Sequence, residues 1–236
     1  MHHSTNKIYT LDILKKAFNN GWHFNFVFFN HFSEDDVYFN PVTVGCFALD
    51  FPCQFEDDFG QEYLSSIQYI MAHKALLFED QVSFNKIMNC SSPSQMIQLG
   101  CHINNFNQSK YNQNSEKIVY QGNFYKFSKN YQLKAFILSF PLNTIFVNAD
   151  PQNNYWGINK NSTNLRSSNP NKWQGYNKLG FQITKVRDDL LKLNSLIHHP
   201  IIHSNVTTEG IYSIKTLQHK WIRGKRFNFV FFLANR

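Results

Sequence analysis

The chain has 236 residues, 42% of them hydrophobic and 17% aromatic with 24 phenylalanines, a composition that can bury a core and excludes wholesale disorder and a small disulfide scaffold. No apolar run approaches the roughly 20 residues that a membrane-crossing helix needs; the longest, over 24–29 and 227–232, are strand-length and contain Asn. The formal charge of +7 would suit a nucleotide, nucleic-acid or acidic partner, but the richness in Phe, Asn, Lys, Ile and Tyr is that of an AT-rich coding sequence, and most lysines are scattered.

Ile8, Leu11, Leu14, Ala17 and Phe18 fall at spacings of three and four, which predicts a short helix over 8–20 that Gly21 stops. The run FNFVFF over 24–29 reads as a buried strand. Residues 33–62, rich in Asp, Glu, Phe, Pro and Gly, read as loops with short strands near 42–47 and 54–55. From Ser66 the period becomes helical, with a helix over 66–79 capped by Ser65 or Ser66, a second over 81–88, and a third from Ser92 with Pro93 in its first position to near Gly100. Two more are expected over 115–127, weakened at Gly122, and over 131–139. A short strand at 145–148, a polar loop over 150–171 and a final helix over 179–195 complete this part.

Past 195 comes the turn His198-His199-Pro200, and then 227–232 repeats 24–29 letter for letter. The repeat is read as a second strand paired with the first, in preference to the opening of an unfinished second copy. The chain is thereby divided into an N-terminal helical extension over 1–23, a main domain over 24–190 and a basic C-terminal extension over 191–236. Lys215, Lys220, Arg223, Lys225 and Arg226 surround Trp221 in that extension, which reads as a solvated face, a weak site for a nucleic-acid backbone or a docking surface for a protein partner.

Cys46, Cys53, Cys90 and Cys101 show no CxxC or Cys/His spacing, so neither zinc nor a disulfide framework is expected and a reducing compartment is the default. The first 18 residues lack an apolar signal core, which leads to an intracellular, by default cytoplasmic, assignment; Lys7, Lys15 and Lys16 with few acids leave a weak organellar presequence as the alternative to an amphipathic helix. His198, His199 and His203 form an HHxxxH pattern, but Pro200 interrupts the helix it would need, and no metal is expected. No GxSxG, GxxxxGK[ST] or GxGxxG stretch is present. Lys74 lies in the apolar segment YIMAHKALLF, where desolvation would free an amine to act as a nucleophile; the competing reading is a lysine whose stem covers apolar surface. DPQNNYWGIN sets amides and a carboxylate beside Tyr155 and Trp156, a group able to stack on and hydrogen-bond a base or sugar, or simply a surface loop.

Several segments in order resemble the NADAR superfamily, the NAD- and ADP-ribose-associated domain. Phe28-Phe29-Asn30-His31 and Cys46-Phe47-Ala48-Leu49-Asp50-Phe51-Pro52 are similar to its FFGH and CFSQWYP stretches, and the segment from Ser65 to Ala75 to its SxEQYMMAEKA helix. Ser92-Pro93 with Leu99-Gly100, and Gly122-Asn123 with Lys126-Phe127, resemble its DP/LGR and RGN/KF pairs. Val147 to Ile158 resembles VEASPxDRxWGIG, and Trp173 to Gly180 with Val186-Arg187 resembles its WxGxNxLG and VR ending.

The resemblance implies a compact, mainly helical α+β domain with a few short strands. It implies a pocket for a ribosyl phosphate or ADP-ribose moiety, cleavage of an N-glycosidic bond, and no cofactor. It further implies that Lys74 captures the ribose as a Schiff base, with Asp150 as a substitute carboxylate, and that His31, Gln68, Tyr69, Asn148, Asn153, Trp156 and Gly157 contact substrate. Several positions depart from the pattern: Ile67 stands at the helix glutamate, Asn148, Asn153 and Asn154 at the Glu, Asp and Arg of VEASPxDR, Cys101 at the LGR arginine and Leu49 at the QWYP glutamine. Losing one acid would cost about 10²- to 10⁴-fold in rate, so reduced or lost activity is expected. The alternative is a non-catalytic ADP-ribose or nucleotide reader, or a structural subunit of a larger assembly.

Overall fold

A computed structural model describes residues 7–32, 42–164 and 166–197. The histidine cluster, the basic cluster and the 227–232 repeat lie outside the described residues. The chain divides into two units, Met1–Leu191 and Lys192–Arg236, and the first holds the strands and helices of the described residues, the end of the last helix excepted.

Helix α1 is Leu11–Asn19; the Thr10 hydroxyl accepts from the Ile13 N–H at its start, and past its end Gly21 takes φ +82°, which a glycine adopts at no steric cost. Strand β1, Asn25–Phe29, pairs in parallel with β4, Thr144–Asn148, from Asn25 opposite Thr144 to Phe29 opposite Asn148. Among the described residues the partner of the first Phe-rich run is β4. The long connection between them carries a small antiparallel ladder, β2 (Phe55–Glu56) with β3 (Glu62–Tyr63), and then the helical body. That body comprises α2 (Ser66–Leu77), α3 (Gln81–Met88), α4 (Pro93–Cys101), α5 (Gln108–Lys129) and α6 (Tyr131–Leu138); α7 (Lys178–Ile197) follows β4. The architecture is α+β and mainly helical, with few and short strands.

Two expectations are corrected. The 42–47 segment is not a strand: Val44–Phe47 is a 3-10 turn, because the Thr43 hydroxyl accepts from the Gly45 N–H and the carbonyls of Thr43 and Gly45 take the N–H groups of Cys46 and Ala48. Helix α5 starts at Gln108, two turns before the expected 115, because the Asn107 side chain accepts from the Lys110 N–H and caps a first stretch too polar to show an apolar period.

The two paired strands are covered on both faces, as a parallel pair must be. Phe24, Phe26 and Phe28 of the β1 segment, with Ile145, Val147 and Ala149 on β4, pack with α1 residues Leu11 and Leu14, Trp173 and Phe181. Val27, Phe29 and Phe146 face the helical body, where Phe47 packs 4.5 Å from Phe146 between ring centroids. The alternation along each strand is the two-residue period of a pleat.

Among the described residues the outer edge of β4 pairs with no third strand; the Thr184 hydroxyl accepts from the Phe146 N–H (3.2 Å), the Ile158 N–H donates to the Asn148 carbonyl (2.9 Å), and one side chain binds two further groups of the edge. Asn177, fully buried at φ +53°, accepts from the Asn148 N–H (2.9 Å) and donates to the Phe146 carbonyl (2.9 Å). A Cβ at Gly180 would collide with that same carbonyl and with the Asn177 amide, so the start of α7 lies directly against β4.

Candidate functional site

The parallel pair ends at Phe29 and Asn148, and the Ala149 N–H donates to the Phe29 carbonyl at 2.7 Å, so the chain leaves both strands side by side. His31 and Asp150 are brought together just past that point. His31 Nε2 lies 3.9 Å from Asp150 Oδ2, and His31 Nδ1 lies 3.9 Å from Asp50 Oδ2. Each carboxylate is held by its other oxygen: Asp150 Oδ1 accepts from the Gln152 N–H (2.9 Å) and Asp50 Oδ1 from the Phe32 N–H (3.3 Å). The imidazole is 74% exposed, whereas the Asp150 side chain is 13% exposed. One residue earlier, Asn30 Oδ1 is buried with no hydrogen-bond partner among the described residues.

Lys74 sits on α2 within a different set of neighbours. Its Nζ donates to the Gly100 carbonyl at 2.7 Å and lies over the rings of Phe106 (4.6 Å) and Tyr111 (4.9 Å). Burial lowers its pKa from the ordinary lysine value, against an opposing pull from Cys101. The Tyr111 phenol, pushed up to about 12 mainly by burial, also feels Tyr155 and Cys101. The Tyr155 hydroxyl donates to Glu116 Oε1 (3.4 Å), and Glu116 is also held by Lys178 (2.7 Å) and Gln182 (3.0 Å), so α5, α7 and the 150–157 loop are clamped together.

The loop is stiff for reasons of its own sequence. Asn153 Oδ1 accepts from the N–H groups of Tyr155 and Trp156, and the Tyr155 and Trp156 rings meet edge to face at 5.0 Å. Gly157 is buried where a Cβ would stand 3.0 Å from the Asn148 and Asn153 carbonyls and 3.2 Å from Asp150 Cβ. Asn148 is buried at the end of β4, its backbone bound to Asn177 and Ile158.

Gln68 and Tyr69 are placed in the interior. The Gln68 amide accepts from the Leu64 N–H and donates to the carbonyls of Ile87, Met88 and Cys90, which joins α2 to the end of α3. Tyr69 stacks on His73 at 3.9 Å, packs edge to face on Tyr63 and Tyr125, and lies against Gly122. His73 is pushed down to about 4 by burial, with Asp57 pulling weakly the other way. Ile67 is buried, and its N–H donates to the Leu49 carbonyl at 2.9 Å. Hydrocarbon thus fills the start of α2.

Two open surface depressions of about 670 and 650 Å³ lie elsewhere, one lined by Phe78, Asn105 and Lys110 and the other by Asn85, Cys90 and Gln95. Neither is lined by Lys74 or Asp150. Among the described residues no cluster of three or more His, Cys, Asp or Glu could hold a metal ion. No helix among them is long and apolar enough to cross a membrane.

Residues 27–191, the span that holds both clusters, match the sequence model of the NADAR domain. The chain belongs to the NADAR domain family. It is 38% identical over 154 residues to N-glycosidase R617 of Acanthamoeba polyphaga mimivirus, covering 64% of this chain and 90% of that protein. It is 29% identical over 131 residues to Protein irg-1 of Caenorhabditis elegans, covering 55% of this chain and 61% of that one. Its fold is similar to the NMR structure of the E. coli protein YbiA, with a TM-score of 0.57 and 22% identity over 75% of this chain and 91% of that one.

Within this NADAR domain, Asp50, Tyr111, Glu116 and Asn177 were not singled out by sequence reasoning. Asp50 had a signal, a lone carboxylate in the otherwise apolar CFALDFP stretch. Tyr111 and Glu116 lie on polar early turns of α5, where no period marks them.

Proposed function

We propose that this NADAR domain acts on the N-glycosidic bond of a ribosyl phosphate or ADP-ribosyl compound, with Lys74 as the nucleophile that captures the ribosyl C1 and Asp150 as a carboxylate of the site. The observation that carries the reading is the state of Lys74: an amine half-buried under two aromatic rings, with its pKa lowered by burial. A share of neutral amine is the form that attacks carbon, and the Gly100 carbonyl fixes its direction. Trp156 and Tyr155, on a loop braced by Asn153 and Gly157, offer faces for a base or sugar. The 38% identity to a protein named as an N-glycosidase supports the reaction class. Turnover is expected to be low, since Ile67 and Asn153 carry no acid.

A second reading is favoured by the packing of Ile67 and Leu49, which places hydrocarbon where the family pattern has Glu and Gln. In it the same ribosyl group is bound and not cleaved. Borohydride reduction of the full chain with ribose 5-phosphate, followed by peptide mass mapping, separates the two. A reduced pentose-phosphate adduct on Lys74, absent from Lys74→Arg, supports the first reading. Calorimetric binding of ADP-ribose without adduct or base release supports the second, and no binding at all overturns both.

A further inference from the structure

We propose that Asp50, His31 and Asp150 act as one proton-transfer unit at the ends of β1 and β4, serving the base that departs when the N-glycosidic bond breaks. The proposal rests on the reading of Lys74 as the nucleophile, and it gives this chain an acid by a route that does not use Ile67 or Asn153.

The geometry of the carboxylates carries it. Two aspartates from separate loops each give one oxygen to a backbone N–H and turn the other toward a different nitrogen of one imidazole, both at 3.9 Å. Such a ring is steered from both sides while remaining 74% exposed, which leaves it free to swing to a ligand. The carboxylates are far less exposed, at 28% and 13%. A second observation points to a ligand at the same strand end. Asn30 Oδ1 is buried without a partner among the described residues, a state that costs about 1–3 kcal/mol and is relieved by a ligand N–H or O–H.

The unit stands in a definite relation to Lys74. The Leu49 carbonyl, next to Asp50, receives the Ile67 N–H, so Asp50 lies at the N-terminal end of α2. Lys74 is seven residues further on, two turns along the same face and ~10 Å along the axis. The proposal assigns the amine to the sugar carbon and the proton-transfer unit to the base of one nucleoside.

In the chemical step, the lone pair of neutral Lys74 Nζ forms a bond to C1 while the C1–N bond breaks and its electron pair leaves with the base. The proton on His31 passes to that base nitrogen. The secondary ammonium formed on Lys74 releases its proton to water and His31, 74% exposed, is reprotonated from solvent; the sugar ring then opens to the Schiff base as the remaining nitrogen proton passes through water to the ring oxygen, and water hydrolyses it to free Lys74 and the ribosyl aldehyde. Asp50 and Asp150 are positioning residues for His31 throughout.

Two substrates separate proton donation from everything else the site does. Guanosine 5′-phosphate loses its base only with a proton, whereas nicotinamide mononucleotide loses a cationic base as a neutral molecule and needs none. In Asp50→Asn, which keeps the acceptor for the Phe32 N–H, and in His31→Gln, the ratio of guanine release to nicotinamide release should fall by about 10²- to 10⁴-fold. The double variant should be no slower than either single one, as for groups that work as a unit. The borohydride adduct of ribose 5-phosphate on Lys74 should persist in every variant, because that reaction expels no base. Equal loss with both substrates, or none with either, overturns the unit and leaves the Lys74 reading standing. So does a wild-type chain that forms the adduct and releases neither base. A wild-type chain that neither forms the adduct nor releases base overturns both.

Discussion

Lys74 and Lys126 are both withdrawn from water, and their surroundings give them different work. Lys74 meets two aromatic faces and one carbonyl and keeps part of its surface open. Lys126 is fully buried, donates to the Ala48 carbonyl at 2.8 Å and lies 5.1 Å from the Phe51 ring centroid; burial pushes its pKa down to about 8, with Cys46, Cys53 and Asp50 pulling upward. The unfolded chain holds its proton on this amine to near the ordinary lysine value of about 10.4. Between about pH 8 and 10 the unfolded state therefore binds more protons, and this group's contribution to stability rises with pH across that window and is lost as pH falls through about 8. Thermal melts from pH 7.5 to 9.5 should show wild type gaining on Lys126→Met as pH rises; parallel curves would refute the assignment. Lys74 was legible in sequence because it interrupts an apolar helix. Asp50 was marked only as a lone carboxylate in an apolar stretch, with no period to give it a role, and acquires meaning when the fold sets it beside His31.

Helices were the most legible elements, because a cap and a 3.6-residue period are both local. Ser65 and Pro93 mark the starts of α2 and α4 where the chain places them. The 42–47 segment misled because its apolar residues suit a strand equally well, and the Thr43 hydroxyl decides the backbone. The element that positions the site most strongly is the β4 edge, which among the described residues is held by the Asn177 and Thr184 side chains and not by a strand. Asn177 binds two backbone groups there with a donor and an acceptor on one amide, which only Asn or Gln can supply. Asn177→Ala leaves the Asn148 N–H and the Phe146 carbonyl buried and unpaired, and should lower unfolding free energy by about 2–4 kcal/mol in urea titration. Asn177→Asp should recover only the bond from the Asn148 N–H. A loss under about 1 kcal/mol would show that water replaces the amide and that the edge does not depend on it.

At the scale of the whole unit, the two-residue pattern of 24–29 predicted a buried strand, but which run lies beside it is a long-range matter that no local pattern encodes. The expected pairing of 24–29 with the repeat at 227–232 lies outside the described residues, and β4 was read as a short strand with no partner assigned. Once β1 and β4 pair, their outer face becomes a sheet of Phe26, Phe28, Ile145 and Val147 that must be covered, and α1 covers it together with Trp173 and Phe181. The first helix thus belongs to the packing of the same unit that carries His31 and Asp150. Tyr9 ties its entry to α7 through a 2.9 Å bond to Asp188, and Asn19 accepts from the Asn171 amide at its exit. Leu14 has no exposed surface while Ile13, its neighbour, is 44% exposed, so the two form a matched test of that cover. Leu14→Ala should cost about 2–5 kcal/mol and Ile13→Ala less than about 0.5 kcal/mol by chemical denaturation. Because the strand ends hold the imidazole between its two carboxylates, Leu14→Ala should also slow base release from guanosine 5′-phosphate at temperatures where the variant is still folded. Equal stabilities for the two variants would mean that α1 rests on the sheet without supporting it.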